Sequence, residues 1–208
     1  MSRNRLFIEA KHAKTPECNF LKSLVRRYFP NKDFDFIFMD GYGNLFNEAI
    51  VNQMRSAIDE QENCLLFLDA DTPKQNGGFV AKEAWVKKNL AVYNLDVPFF
   101  IYPNNAEDGD VECLMEQIAR RDLHNRWFDC FEDYEKCVAG IKNINGQSSY
   151  NIPNLKGKLH TYISSMNLRA KERRNLGGGN WLFENEQYWD LSSNELNPIV
   201  NFLKENLK

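Results

Sequence analysis

The sequence predicts an α/β fold: a mostly parallel central sheet with helices on both faces and a helical extension at the C-terminal end. Three observations carry that prediction. Four short apolar runs, Leu6–Ile8, Phe34–Met39, Leu65–Leu68 and Val97–Tyr102, have strand length and strand composition. The first three lead into segments whose apolar residues recur at helical spacing, and the fourth into a helix start near Asp110. Residues that favour turns, such as Pro30, Gly41, Gly43, Gly77, Gly78 and Pro103, punctuate the joints. Strand followed by helix, four times over, implies right-handed crossovers, and it gathers the loops that follow the strands along one rim of the sheet.

The elements follow in order. Leu6-Phe7-Ile8 is a buried strand closing on Glu9, and Thr15 or Pro16 opens a helix through Phe20, Leu21, Leu24, Val25 and Tyr28. The second strand turns at Asp40-Gly41-Tyr42-Gly43 into a helix carrying Leu45, Ala49, Ile50, Met54 and Ile58. The third is followed by Gly77-Gly78 and a helix through Ala81, Ala84, Trp85 and Leu90, and the fourth by Pro103-Asn104-Asn105 and the helix near Asp110. Trp127, Phe128, Phe131, Tyr134, Val138 and Ile141 predict a further helix, and residues 143–153 a polar connection. Beyond it come a helix over Leu155–Arg174, the loop Gly177-Gly178-Gly179 and a last helix near Asn194–Leu207. Residues 1–125 thus read as the α/β core, and 126–208 as a helical layer packed on it within one domain.

Composition bounds the function. With 208 residues, 43% of them hydrophobic and 26% charged, the chain has the makeup of a globular domain able to bury a sizeable core. A net charge of −3 argues against a chain-wide field for nucleic acid and leaves room for a local basic patch. Five cysteines without a C-x-x-C pair point to a reducing, cytoplasmic setting, and no apolar run reaches membrane-spanning length. His12, His124 and His160 are too scattered for a zinc site.

The chemistry sits at the strand ends. In Leu65-Leu66-Phe67-Leu68-Asp69-Ala70-Asp71-Thr72 an apolar run ends in two aspartates one residue apart, which on an extended strand face the same side. Two carboxylates so placed form half of a divalent-metal site. Glu9, Asp40 and the acidic loop Glu107–Glu112 also follow strands, so several acids are expected on one rim, where like charges gathered without a cation repel. Glu9 beside a metal held by Asp69 and Asp71 would serve as general acid or base, the set of groups that phosphoryl transfer needs.

The order of these motifs resembles the Toprim domain of topoisomerases, primases and OLD-type nucleases: a strand ending in Glu9, a glycine-containing turn (Gly41, Gly43) after the second strand, then Asp69-x-Asp71. Pro103-Asn104-Asn105 followed by Gly109-Asp110-Val111-Glu112 is similar to an uncharacterised bacterial Toprim-related family that carries P-D-N and then G-x-L-E. The resemblance covers roughly residues 5–120. It implies a Toprim/Rossmann-like sheet, Glu9 as acid/base, and Mg²⁺ or Mn²⁺ on Asp69 and Asp71, with Glu9 and Glu112 as further acidic ligands. Two departures stand out: Ala10 follows the glutamate where glycine is common, and Asn104 replaces an aspartate. The implied activity is metal-dependent phosphodiester hydrolysis of nucleic acid. OLD-type domains work beside an ATPase, which here implies a separate partner protein. A non-catalytic interaction protein is the alternative.

Two other motifs compete for the same residues. The D-x-D also resembles that of glycosyltransferases, whose usual first-strand ending is absent here. Asp40-Gly41-Tyr42-Gly43-Asn44-Leu45 lacks the second aspartate of the phosphatase motif and with it an acid/base. Lys11 near the rim, and Arg169, Lys171, Arg173 and Arg174 ahead of Trp181, Phe183, Tyr188 and Trp189, form the candidate nucleic-acid contacts.

Overall fold

The structure is a computed structural model in which residues 3–73 and 77–207 are described. Four strands, β1 (Asn4–Ile8), β2 (Phe34–Phe38), β3 (Asn63–Asp69) and β4 (Phe99–Tyr102), form one sheet in the order β2-β1-β3-β4. Every pairing is parallel, in a register that sets Ile8 beside Phe38 and Phe67, and Asp69 beside Tyr102. The carboxyl ends of β1 and β3 therefore lie side by side at the centre of the rim.

Alternation along the strands divides the core in two. Leu6, Ile8, Leu65 and Phe67 face one apolar cluster, while Phe7, Leu66 and Leu68 face the other. The second cluster is closed by α2 (Glu48–Asp59) and α3 (Phe79–Val92). The first is closed by α1 (Pro16–Tyr28) and α4 (Val111–Gln117) together with the C-terminal half of the chain. That half comprises α5 (Arg121–Gly140, kinked at His124), α6 (Leu155–Ser164), α7 (Ala170–Leu176) and α8 (Asn197–Asn206). Its Leu159, Tyr162, Trp189 and Leu203 have no exposed surface and share a cluster with Leu6 and Phe67. Burying four such side chains stabilises the fold by roughly 1.5–3 kcal/mol each before entropy is counted.

Capping places the helices. The Thr15 hydroxyl accepts from Cys18 N at 3.3 Å, so α1 starts at Pro16 as the sequence predicts. Asp110 accepts from Cys113 N at 2.9 Å and starts α4. Gly179, at φ +71°, presses its backbone on the start of α1; a Cβ there would meet the Thr15 carbonyl carbon at 2.3 Å, so the triple glycine has a packing role. Two boundaries differ from expectation. β4 begins at Phe99, since Pro98 has no N–H for the ladder. The helix expected over Leu155–Arg174 is two: Ser164 and Ser165 turn their hydroxyls back onto Thr161 O, and Arg173 takes up the Ser164 and Met166 carbonyls at the break. Among the described residues no helix is long and apolar enough to cross a membrane.

Candidate carboxylate site

Glu9 follows directly on β1, and two backbone N–H groups hold its carboxylate: Asp69 N at 3.0 Å from Oε1, and Tyr42 N. Asp69 ends β3, and its Oδ1 accepts from Val111 N at 2.8 Å, which ties the strand to the first turn of α4. Both acids line a cavity of about 280 Å³ together with Ala10, Lys11, Thr15, Glu17, Val111, Glu112 and Lys156. Four carboxyl groups thus meet at the carboxyl ends of the two central strands, where parallel sheets bind ligands.

Burial sets their protonation. It pushes Glu9 up to about 7, with Asp71 adding to the rise and Lys82 and the two backbone donors opposing it. Burial pushes Glu17 up to about 8, helped by the charges of Glu9 and Glu112 and opposed by the Ala10 N–H and Lys156. Asp69 rises well above the ordinary aspartate value, first through burial and then through Glu9, Glu17 and Glu112. Lys156 Nζ stands 2.7 Å from Glu112 Oε1; burial works against its charge, but Glu112, Asp69 and Glu17 outweigh burial and raise its pKa. The Tyr102 hydroxyl is fully buried close to the same acids and has no hydrogen-bond partner among the described residues.

Asp69 and Asp71 part company. The expectation that they face one side assumes that the strand continues, but β3 ends at Asp69 and Asp71 stands at φ +60°. Its backbone exchanges two hydrogen bonds with Gly109, of 2.7 and 2.9 Å, and its Oδ2 takes Lys82 Nζ at 3.1 Å. Lys82, in the first turn of α3, is only 5% exposed; its Nζ is 4.0 Å from Glu9 Oε1 and 3.7 Å from the centre of the Tyr42 ring. An ammonium group, then, sits between Glu9 and Asp71.

Two acids of the loop serve the backbone. Asp108 Oδ1 accepts from Phe79 N at 2.7 Å, Asp110 caps α4, and Asn104 closes its own turn by accepting from Ala106 N and Glu107 N while donating to Glu107. Of this loop and the helix it opens, only Val111 and Glu112 reach the cavity. Asp40 lies outside it and pairs with Lys11 at 3.5 Å on the exposed rim. Of the basic candidates Lys11 lines the cavity, Arg169 lies near Glu172, Arg173 is spent on the α6 terminus, and Lys171 and Arg174 are exposed.

Sequence reasoning missed Glu17, Lys82, Tyr42 and Lys156. The first two had a signal, since each stands in the first turn of a helix that follows a rim loop. Lys156 had none: it arrives from the far half of the chain. No family model, curated protein or solved structure matches this chain.

The cavity's potential metal ligands are carboxylate oxygens, of the kind a hard divalent cation takes. Four acids outnumber two lysines there, and the Tyr102 hydroxyl waits unpaired behind them. As the side chains stand, no three acids, histidines or cysteines among the described residues converge on one point.

Proposed function

We propose that this chain hydrolyses phosphodiester bonds in nucleic acid with the help of Mg²⁺ or Mn²⁺, a nuclease-like activity seated in the Glu9–Asp69 cavity. The observation that carries the reading is the gathering of Glu9, Glu17, Asp69 and Glu112 around one small cavity at the carboxyl ends of β1 and β3. The cation would draw its ligands from Asp69, Glu17 and Glu112, whose side chains would have to turn toward one point to hold it; when bound it neutralises phosphate charge and makes water a better nucleophile.

Glu9 suits the proton. Near 7, its carboxyl is part ionised at neutral pH, so it can accept a proton from water and return it to a leaving oxygen. The backbone N–H groups of Asp69 and Tyr42 fix its position for that transfer. Lys11 and Lys156 also line the cavity and would be the cations nearest a phosphate bound there, after leaving Asp40 and Glu112. The five unpaired cysteines are in keeping with a reducing, cytoplasmic setting.

The pairing of Lys82 with Asp71 favours a second reading, in which the fold is kept as an interaction module without turnover. Incubation with Mg²⁺ or Mn²⁺ and end-labelled single- and double-stranded DNA and RNA separates the two. Cleavage is expected, abolished by EDTA and lowered about 100-fold or more by Asp69→Asn, with an unchanged circular dichroism spectrum. Cleavage at the same rate by wild type and variant would overturn the assignment; cation binding with no turnover of any substrate would favour the interaction module.

A further inference from the structure

We infer that a second pocket, adjoining the carboxylate cavity, seats one nucleotide of a single-stranded nucleic acid, so that the strand lies across both. The inference rests on the proposed hydrolysis of phosphodiesters and names the class of strand it acts on.

Three observations carry it. The pocket has a volume of about 520 Å³ and shares Thr15 and Lys156 with the carboxylate cavity, so a ligand in one is next to a ligand in the other. Its charge is the reverse of its neighbour's: Lys14, Lys156 and His160 line it, and no acid among the described residues does, in a chain whose net charge is −3. Lys14 is exposed and has no ion pair among the described residues, so its ammonium meets a phosphate without first leaving a carboxylate. The remainder of the lining is partly apolar. Leu176 and Trp181 are buried, and the exposed His160 ring stands 6.2 Å from that of Trp181. Cations beside an apolar wall with a ring free to stack are what a phosphate and its base require. The volume falls within the roughly 300–1,000 Å³ of small-molecule sites, and a base enters such a pocket only when it is unpaired and unstacked, which favours a single strand over a duplex.

The test is binding without catalysis, read in EDTA by fluorescence anisotropy of a labelled DNA strand of about twenty nucleotides, alone and annealed to its complement. The single strand should bind about tenfold or more tighter than the duplex. Lys14→Ala should flatten the fall of log affinity with log salt by about 0.7, the share of one phosphate contact on a single strand. His160→Ala should weaken binding about fivefold or more, and His160→Phe should restore it to within about twofold, since any aromatic ring stacks a base. Both side chains are exposed and outside the carboxylate cavity, so neither substitution should disturb the fold. Equal binding of strand and duplex, no binding of either, or an alanine variant at Lys14 or His160 that binds with wild-type affinity and salt dependence overturns the inference. Cleavage of nucleic acid by a chain that fails these tests leaves the nuclease reading standing; a strand held in the pocket yet never cut when Mg²⁺ or Mn²⁺ is added overturns that reading and supports the pocket.

Discussion

The two ends of β1 treat charge in opposite ways. At its start Arg5, whose side chain is 14% exposed, bonds Glu62 at 2.5 Å and Glu60 at 3.2 Å, and beside it the Asn4 and Asn63 side chains bond each other at 2.6 Å. Each strongly buried polar group there has a partner of its own chain. At its end Glu9 joins Glu17, Asp69 and Glu112, with Lys156 paired to the last of them and Lys82 turned toward Asp71. Burial alone therefore does not mark a site; burial of like charges beyond what the chain's own partners balance does, because such a surplus costs stability and is retained only where something offsets it.

The sharpest way to break that contrast is to remove the surplus. Glu17 titrates near 8 when folded against an ordinary 4.5, so between those values the folded chain keeps a proton that the unfolded chain releases. The unfolded state then binds fewer protons, and stability falls as pH rises from about 4.5 to about 8, levelling off above. Glu17→Gln has no charge to bury. Without divalent cation it should be more stable than wild type at pH 9 by about 2 kcal/mol, a rise in Tm of roughly 4–8 °C, with the difference vanishing near pH 4.5. Thermal melts in EDTA across that range check it; a variant less stable than wild type at pH 9 would place Glu17 among structural ion pairs.

The opposite end should respond in the opposite sense. Arg5→Met removes the cation paired with Glu60 and Glu62 and is expected to destabilise by about 1–2 kcal/mol, less than a fully buried pair because Glu60 is half exposed. Urea unfolding measures the loss, and Mn²⁺ titration of the folded variant should match wild type. A change in Mn²⁺ affinity would mean that the two rims communicate through β1 and that the contrast between them is not local.

Much of the fold was legible because local signals agreed with one another. Apolar runs, helical spacing and caps at Thr15 and Asp110 each pointed to the same elements, and the parallel sheet followed from their alternation. Glu9 and Asp69 were legible for the same reason, as acids at the ends of central strands. Asp71 was not, since the rule of alternation says nothing of where a strand stops, and the turn at φ +60° is fixed by a loop some forty residues away in sequence, at Gly109. Lys156 was invisible because tertiary packing alone brings α6 to the rim. The double serine that splits α6 from α7 was readable in principle, but helical periodicity on either side masked it.

Acids at the carboxyl end of the sheet divide again into those spent on helices and those left for the cavity, and Asp108 marks the division. Its Oδ1 bonds Phe79 N at 2.7 Å and sits close over Gly78, where a Cβ would meet that oxygen at 3.2 Å, so it caps the helix that carries Lys82. Asp108→Ala exposes an unpaired N–H at the start of α3 and should lower the free energy of unfolding by about 1 kcal/mol, with Asp108→Asn recovering most of it, since an amide oxygen caps as well as a carboxylate. Urea midpoints measure both. Because Asp108 lies outside the cavity, neither variant should alter Mn²⁺ affinity more than about twofold. A larger change would show that the cap, by seating Lys82 against Asp71 and Glu9, controls the charge balance of the cavity, and would move Asp108 from the acids that hold the fold to those that tune the site.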